Sequence, residues 1–151
     1  MIIISHRGNL DGRIPDRENT VSYVDEALAK GFDVEIDVRF RDEKLWMGHD
    51  YPDEKIDMEW LDANRKKLWV HCKDLESILY LRRIPLGVHY FGHANDPFVL
   101  TSRGFLFCIP REDLTETCVM VMPEHFNFTP LPSNRAGAIL TDFPDTYGEE
   151  K

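Results

Sequence analysis

The fold is indicated most directly by residues 20–40, which read TVSYVDEALAKGFDVEIDVRF. Thr20 is a favourable helix N-cap, and apolar residues then recur at helical spacing until Gly31, which is typical of a helix end. Over 32–40 apolar and polar residues alternate strictly, which is the pattern of a β-strand. The segment therefore predicts a helix from Thr20 to about Lys30 and a strand directly after it.

The first half of the chain continues this alternation of strand and helix. Strands are predicted in the short apolar segments 2–5, 45–47, 68–73, 87–91, 105–109, 118–122 and 138–141. Further helices are predicted over about 57–66 and from 75 to just before 85. Alternating strands and helices favour a parallel α/β sheet, whereas the second half leaves no room for full helices between its strands. The acidic tail after Asp145 is predicted to be frayed.

Composition and charge limit the classes of function. The 151 residues predict one domain over 1–151, and a hydrophobic share of 42% is sufficient for a buried core. The net charge of −9 argues against nucleic acid or an anionic membrane as a partner, although a local basic pocket could still bind a small anion. No segment reads as a membrane span or a signal peptide, so no membrane insertion is expected.

The cysteines bear on the cellular compartment. Cys72, Cys108 and Cys118 show no paired spacing of the kind that a disulfide framework or a metal motif would have. They therefore predict free, buried thiols in a reducing compartment, and hence a cytoplasmic protein.

Glu35 and Asp37 stand two positions apart on the predicted strand 32–40, so both carboxylates point to one face of the sheet. Neighbouring carboxylates that lose their hydration are costly unless a cation compensates them. A divalent ion would do so, and hard oxygen ligands favour Mg²⁺, Ca²⁺ or Mn²⁺. The alternative from spacing alone is a solvated acidic face, with Arg39 as the ionic partner.

His6 directly follows the first apolar strand, at the end where parallel α/β folds bind their ligands. Arg7 adds a guanidinium suited to a phosphate, and Gly8 allows the backbone to turn close to a ligand. A capping or core histidine is the alternative interpretation of His6.

His49 ends the predicted strand 45–47, and the following Asp50 could orient its ring. Together with His6, near one metal and one arginine, it would form an acid/base pair because each imidazole titrates near neutral pH. The alternative is a histidine in a surface loop.

His71 and Lys73 share a face of the predicted strand 68–73. An inward Lys73 would supply a charge for an anionic substrate, whereas a solvated lysine at the strand end is the alternative. His93 lies just beyond the next strand and is a candidate for lining the same site.

Together these motifs resemble the glycerophosphodiester phosphodiesterase family, within the wider group of phospholipase-C-like phosphodiesterases. The matching motifs follow the family's order and roughly its spacing: His6-Arg7-Gly8, Glu18-Asn19-Thr20, Gly31, Glu35-Ile36-Asp37-Val38 and Gly48-His49-Asp50. Residues 137–144, GAILTDFP, look like the family's closing strand. Both ends of the chain are thus covered, and the middle is not well matched.

The resemblance implies an α/β fold of the (β/α)₈ TIM type. A full barrel takes about 250 residues, and this chain has 151. We therefore expect a reduced barrel with several outer helices shortened or missing. Such a barrel would expose apolar strand faces of the kind that a second subunit often covers, which makes a homodimer a further expectation.

The resemblance also implies roles for individual residues. By position, His6 and His49 would be the acid/base pair, and Glu35 and Asp37 would be the metal ligands. Arg7 would bind the phosphate, and Glu18 would support the site near His6. The implied substrate is a small glycerophosphodiester-type molecule, one of whose hydroxyls attacks phosphorus to give a cyclic phosphate and a released alcohol. The metal and Arg7 would stabilise the charge that builds on the phosphoryl oxygens.

One departure from the family concerns the metal. The family usually has Glu-x-Lys on its third strand, whereas this chain has His71-Cys72-Lys73, so the lysine is kept and the glutamate is replaced. His71 can still bind a divalent ion, but imidazole is softer than carboxylate. The change predicts weaker binding of Ca²⁺ or Mg²⁺ and a shift toward Mn²⁺ or a later transition metal.

Two alternatives to a metal-dependent phosphodiesterase remain open from sequence. The first is a catalytically silent module that binds a phosphate-bearing ligand on a degenerate barrel; the small size and the lost glutamate favour it. The second is a phospholyase that stops at the cyclic product. Retention of both His6 and His49 favours an enzyme, since a pure binder has no need for two acid/base groups.

Overall fold

The computed structural model describes residues 1–128 and 135–148, which fold as a mixed α/β protein around one curled sheet. The strands are β1 (Ile2–His6), β2 (Asp33–Arg41), β3 (Lys44–Met47), β4 (Glu54–Lys55), β5 (Leu68–Cys72), β6 (His89–Phe91), β7 (Phe98–Leu100), β8 (Leu106–Cys108), β9 (Cys118–Val121) and β10 (Ala138–Thr141). The helices are α1 (Val21–Ala29), α2 (Met58–Asn64), α3 (Leu75–Arg83) and α4 (Pro144–Gly148), with a 3₁₀ helix at Pro123–Phe126.

The sheet is parallel through most of its width. The parallel strands lie in the spatial order β6, β5, β2, β1, β10, β9, β8, so the first and last strands of the chain are neighbours. Antiparallel strands extend it: β3 pairs with the end of β2, β4 with β3, and β7 with β8. The carboxyl ends of the parallel strands consequently meet along one edge, where loops can bring functional side chains together.

The two ends of the parallel order approach each other without a strand ladder between β6 and β8 in the described ranges. Ser102 N donates to Tyr90 O at 2.8 Å, and His89 Nε2 lies 2.7 Å from Thr101 Oγ1. The rings of Phe91 and Phe107 stack with centroids 4.4 Å apart. The sheet is therefore curled, and contacts between side chains and loops join its ends.

Apolar side chains fill both faces of the curled sheet. The concave side holds residues from strands far apart in the order, among them Ile4, Trp69, Phe107 and Leu140. The convex side packs the helices against β2 and β5, with Val24 of α1 fully buried in that cluster. Burial on both faces is typical of a parallel sheet.

The predicted elements of the first half are confirmed. Thr20 caps α1 by accepting from Tyr23 N at 3.4 Å, and β2 covers the alternating segment. The second half has strands and few helices, as expected. Of the expected reduced (β/α)₈ barrel, the structure shows a mixed α/β fold with a curled sheet. None of the helices in the described ranges is long and apolar enough to cross a membrane.

Two sequence-based expectations are wrong. The tail after Asp145 is expected to be frayed, but up to Gly148 it is part of the ordered helix α4. Asp145 N donates to Leu10 O at 3.2 Å, and Asp145 also forms an ion pair with Lys30. Residues 149–151 lie outside the described ranges.

Cys72 and Cys118 are free and buried as expected, but Cys108 is only partly buried. The homodimer stays a prediction.

Candidate functional site

Strand register brings the candidate residues together at the carboxyl edge of the sheet. His6 of β1 lies beside Glu35 of β2, and Asp37 of β2 lies beside His71 of β5. These pairs follow directly from the parallel ladders, in which neighbouring strands place their carboxyl-terminal residues on the same edge.

Glu35, Asp37 and His71 form a compact group that could hold a metal ion. One ligand atom from each lies within 4.8 Å of the others. Nδ1 of His71 is 3.1 Å from Oδ1 of Asp37 and 3.6 Å from Oε1 of Glu35. Both carboxylates are buried, so the alternative of a solvated acidic face does not hold. Arg39, the partner in that alternative, donates instead to His49 O at 2.6 Å.

Asp37 is the most heavily contacted member of the group. Nε of Arg7 lies 2.8 Å from Oδ2, and Nζ of Lys73 lies 3.8 Å from Oδ1, so the lysine points inward. Asn19 Nδ2 donates to Oδ2 at 2.9 Å, and Asp37 N donates back to Asn19 Oδ1 at 2.9 Å. Burial opposes ionisation, but the hydrogen bond from His71 and the charge of Arg7 outweigh it and hold the pKa of Asp37 well below its usual range.

The same contacts shift the pKa of His71 in the opposite direction. Burial disfavours its charged form, but the hydrogen bonds and charges of Asp37 and Glu35 outweigh burial and raise the pKa of His71. Its ring stacks against that of Phe91 on β6, with centroids 4.8 Å apart, and against that of His93 just after β6, with centroids 4.9 Å apart. His93 therefore lines the site from the rim, and burial together with the charge of His71 lowers the pKa of His93.

His6 is oriented by a carboxylate from the far end of the chain. Its Nδ1 lies 2.8 Å from Oδ1 of Asp142, which also accepts from Asn9 Nδ2 at 2.8 Å. Asp142 N in turn donates to Glu124 Oε1 at 2.8 Å. Burial opposes protonation of His6, but the hydrogen bond to Asp142 and the charge of Glu35 outweigh it and raise the pKa of His6. This contact engages Nδ1 and not Nε2.

Glu18 positions the arginines next to the site through hydrogen bonds. It accepts from Arg7 Nη1 at 3.1 Å, from Asn9 Nδ2 at 2.9 Å and from Arg13 Nε at 2.9 Å. Burial would raise its pKa, but the hydrogen bonds from Arg13, Asn9 and Arg7 lower the pKa of Glu18 to about 2. Glu18 thus keeps a full charge near neutral pH and fixes the guanidinium of Arg7 between two carboxylates.

His49 reaches the site from the loop that follows β3. It lines a polar cavity of about 580 Å³ together with His6 and Arg7. Its ring is more exposed than that of His6, and its Nδ1 lies 2.8 Å from Oδ1 of Asp50. The loop is anchored by Gly48 N, which donates to Asp37 O at 3.1 Å.

Gly48 sets the path of that loop, and replacing it should cost more than replacing a glycine in open space. At Gly48 the φ is +146°, and an added Cβ would lie 1.8 Å from Tyr51 O. Gly48→Ala is expected to lower the free energy of unfolding by about 2–3 kcal/mol, since backbone must move. Gly31→Ala is the matched control because its φ is also positive, +95°, while no atom lies within 4 Å. Urea unfolding compares them; equal losses would contradict the steric argument.

Several site residues were missed by sequence reasoning. Asp142 was quoted only as part of the closing strand, yet its place after β10 at the carboxyl edge could have marked it. Asn9 carries no sequence signal, and Asn19 belongs to the Glu18-Asn19-Thr20 motif without an assigned role; they donate hydrogen bonds to Asp142 and Asp37, respectively. His125 carries no sequence signal, but its Nε2 lies 3.9 Å from Oδ2 of Asp142 and it lines the polar cavity.

The residues singled out from the sequence thus lie in one connected region. His6 and Arg7, with the carboxylate of Glu18 paired to Arg7, form one side of it, and the buried carboxylates of β2 lie beside them. The region combines an oriented histidine, fixed cations and a group of metal-ligating atoms, which is a set suited to binding and reacting with a phosphate ester. Comparison with protein-family models, with curated proteins and with solved structures found no match to this chain, so the functional proposal rests on these contacts.

Proposed function

We propose that this protein is a metal-dependent phosphodiesterase on a reduced (β/α)₈-type barrel, acting on a small glycerophosphodiester-type substrate. One observation carries the proposal. His6 and Arg7 line a cavity that His49 also lines, and they stand beside the Glu35–Asp37–His71 group. Phosphate binding, proton transfer and charge stabilisation are then available within one site.

The ligand atoms fit a divalent ion. Oε2 of Glu35 and Nε2 of His71 are buried and have no hydrogen-bond partner among residues 1–128 and 135–148, and Oδ1 of Asp37 lies 3.1 Å from Nδ1 of His71. Two carboxylates and one imidazole suit Mn²⁺ or Mg²⁺, with the imidazole favouring the softer ion. A bound divalent ion supplies positive charge against the phosphoryl oxygens.

The chain's own residues supply the remaining steps. Arg7 and Lys73 bind the phosphate oxygens. One of the two histidines, His6 and His49, accepts the proton of a substrate hydroxyl as that oxygen bonds to phosphorus. The other histidine donates a proton to the leaving oxygen as its bond to phosphorus breaks. This first step gives a cyclic phosphate and a free alcohol. Water then bonds to phosphorus and gives up a proton to one histidine, while the ring P–O bond breaks and the freed oxygen takes a proton from the other. Asp142 holds the His6 ring through Nδ1 during these transfers.

A phosphate-binding module without catalysis is the competing proposal, and one observation favours it. Arg7, His71 and Lys73 each place a nitrogen within 4 Å of an Asp37 oxygen, at 2.8, 3.1 and 3.8 Å. These cations compensate the buried carboxylates in the absence of any ion. The same cations would bind a phosphate group in a protein that never cleaves it.

The deciding experiment measures cleavage of a panel of glycerophosphodiesters after chelation and after adding back Mg²⁺, Ca²⁺ or Mn²⁺. Wild type is expected to cleave with an added ion, Mn²⁺ best, and His49→Ala to lose that activity. Lys55→Ala, an exposed change on β4, is the control. Cyclic phosphate as the final product would identify a phospholyase. A folded protein that cleaves nothing with any ion would favour the binding module.

A further inference from the structure

Two cavities of opposite character meet at His6 and Arg7. The polar cavity of about 580 Å³ contains His49, and the second, of about 270 Å³, contains Glu35 and His71. His6 and Arg7 line both cavities. A phosphate held by Arg7 would therefore sit at the boundary, with one ester substituent directed into each cavity.

The lining of the smaller cavity is mainly apolar. Its body is formed by Phe91, Val99, Phe107, Val121, Ile109 and Leu140. Phe91, Val99, Phe107 and Leu140 are buried members of the concave core, so the cavity is a recess in that core. Its charged and titratable lining is His6, Arg7, Glu35 and His71, which are the reactive groups, together with His93, Asp96 and Cys108.

We infer that the smaller cavity binds an apolar substituent of the substrate, an aryl or short alkyl group, while the polar cavity binds a hydroxylated one. The inference rests on the proposed function for its chemistry and names the substrate class: an asymmetric phosphodiester. A glycerol group in the apolar recess would leave its hydroxyls without hydrogen-bond partners, which is unfavourable. An aryl ring would gain by leaving water.

Size supports this assignment. An apolar cavity of about 150 Å³ is sufficient to bind benzene, and this recess has about 270 Å³. The rings of Phe91 and Phe107, stacked at 4.4 Å, offer aromatic surface to a planar group. In the polar cavity, His49 and Glu18 offer partners for hydroxyls, so the nucleophilic hydroxyl lies on the side where His49 can take its proton.

The test compares phenyl phosphate with glycerol 3-phosphate as ligands, followed by NMR titration. Phenyl phosphate is expected to bind wild type at least tenfold more tightly. Val121→Thr, which adds a hydroxyl to the cavity wall, should reduce that ratio several-fold, and Ile109→Thr at an exposed position provides a second variant that does not disturb the core. Val21→Thr is the matched control because Val21 is half-buried like Val121 but packs in the other core cluster and lines neither cavity.

Cleavage of glycerol phenyl phosphodiester and of bis-glycerol phosphodiester separates this inference from the proposed function. Preferred cleavage of the phenyl diester, reduced in Val121→Thr, supports both. Tighter phenyl phosphate binding without any cleavage supports the apolar subsite and contradicts the phosphodiesterase. Equal binding of the two ligands, or a ratio that Val121→Thr and Ile109→Thr leave unchanged, overturns the subsite even if both diesters are cleaved.

Discussion

Replacing Asp37 by alanine is expected to lower the free energy of unfolding by about 3–5 kcal/mol, the usual cost of breaking a buried ion pair by removing one partner. Asp37 is fully buried and lies between Arg7 at 2.8 Å and His71 at 3.1 Å. Its loss leaves that guanidinium and imidazole in the core beside each other, and it also removes the hydrogen bond that Asn19 Nδ2 donates to Oδ2. Urea unfolding at neutral pH measures the change.

Glu35→Gln is the matched comparison for Asp37→Ala. Glu35 is also buried, but its ionic contact is the longer one to His71, at 3.6 Å. We expect a loss of less than about 2 kcal/mol from this variant, since an amide can still accept a hydrogen bond. Both variants should weaken Mn²⁺ binding measured by calorimetry. Equal stability of Asp37→Ala and wild type would show that the cations near Asp37 do not need its carboxylate.

His6→Ala is expected to lower kcat for phosphodiester cleavage by about 10²–10⁴-fold, the usual contribution of a positioned general acid or base. The expectation follows from the ring's place at the boundary of the two cavities and from its fixed orientation by Asp142. His89→Asn is the control histidine variant, because His89 is buried against Thr101 and lines neither cavity. A change in kcat of less than tenfold in His6→Ala would contradict a proton-transfer role.

The pH–rate profile of Asp142→Asn tests how Asp142 acts on His6. The hydrogen bond to Asp142 raises the pKa of His6 against the opposing effect of burial. Removing the carboxylate charge should lower that pKa, so the limb of the pH–rate profile that reports His6 moves to lower pH. Asn keeps the size and one acceptor of Asp, so a purely structural role predicts reduced kcat with an unmoved limb. The two outcomes are read from the same profile.

Local sequence patterns predict the elements well, because they depend on neighbours in the chain. The capped helix α1 and the alternating strand β2 follow from residues within a few positions of each other. The short strands β4 and β7 were missed since two or three residues carry no usable periodicity. α4 was missed because its stabilising contacts, with Leu10 and Lys30, come from the other end of the chain.

The sequence by itself determined that Glu35 and Asp37 share a face, because side chains on a strand alternate. It also determined that His6 and Arg7 stand at a strand end. Only the tertiary structure decided what those groups meet: β5 places His71 beside Asp37, and β10 brings Asp142 to His6 across 136 positions of sequence separation. The physical reason is that ladder register and the adjacency of the first and last strands are set by packing of the whole sheet, which no local spacing encodes.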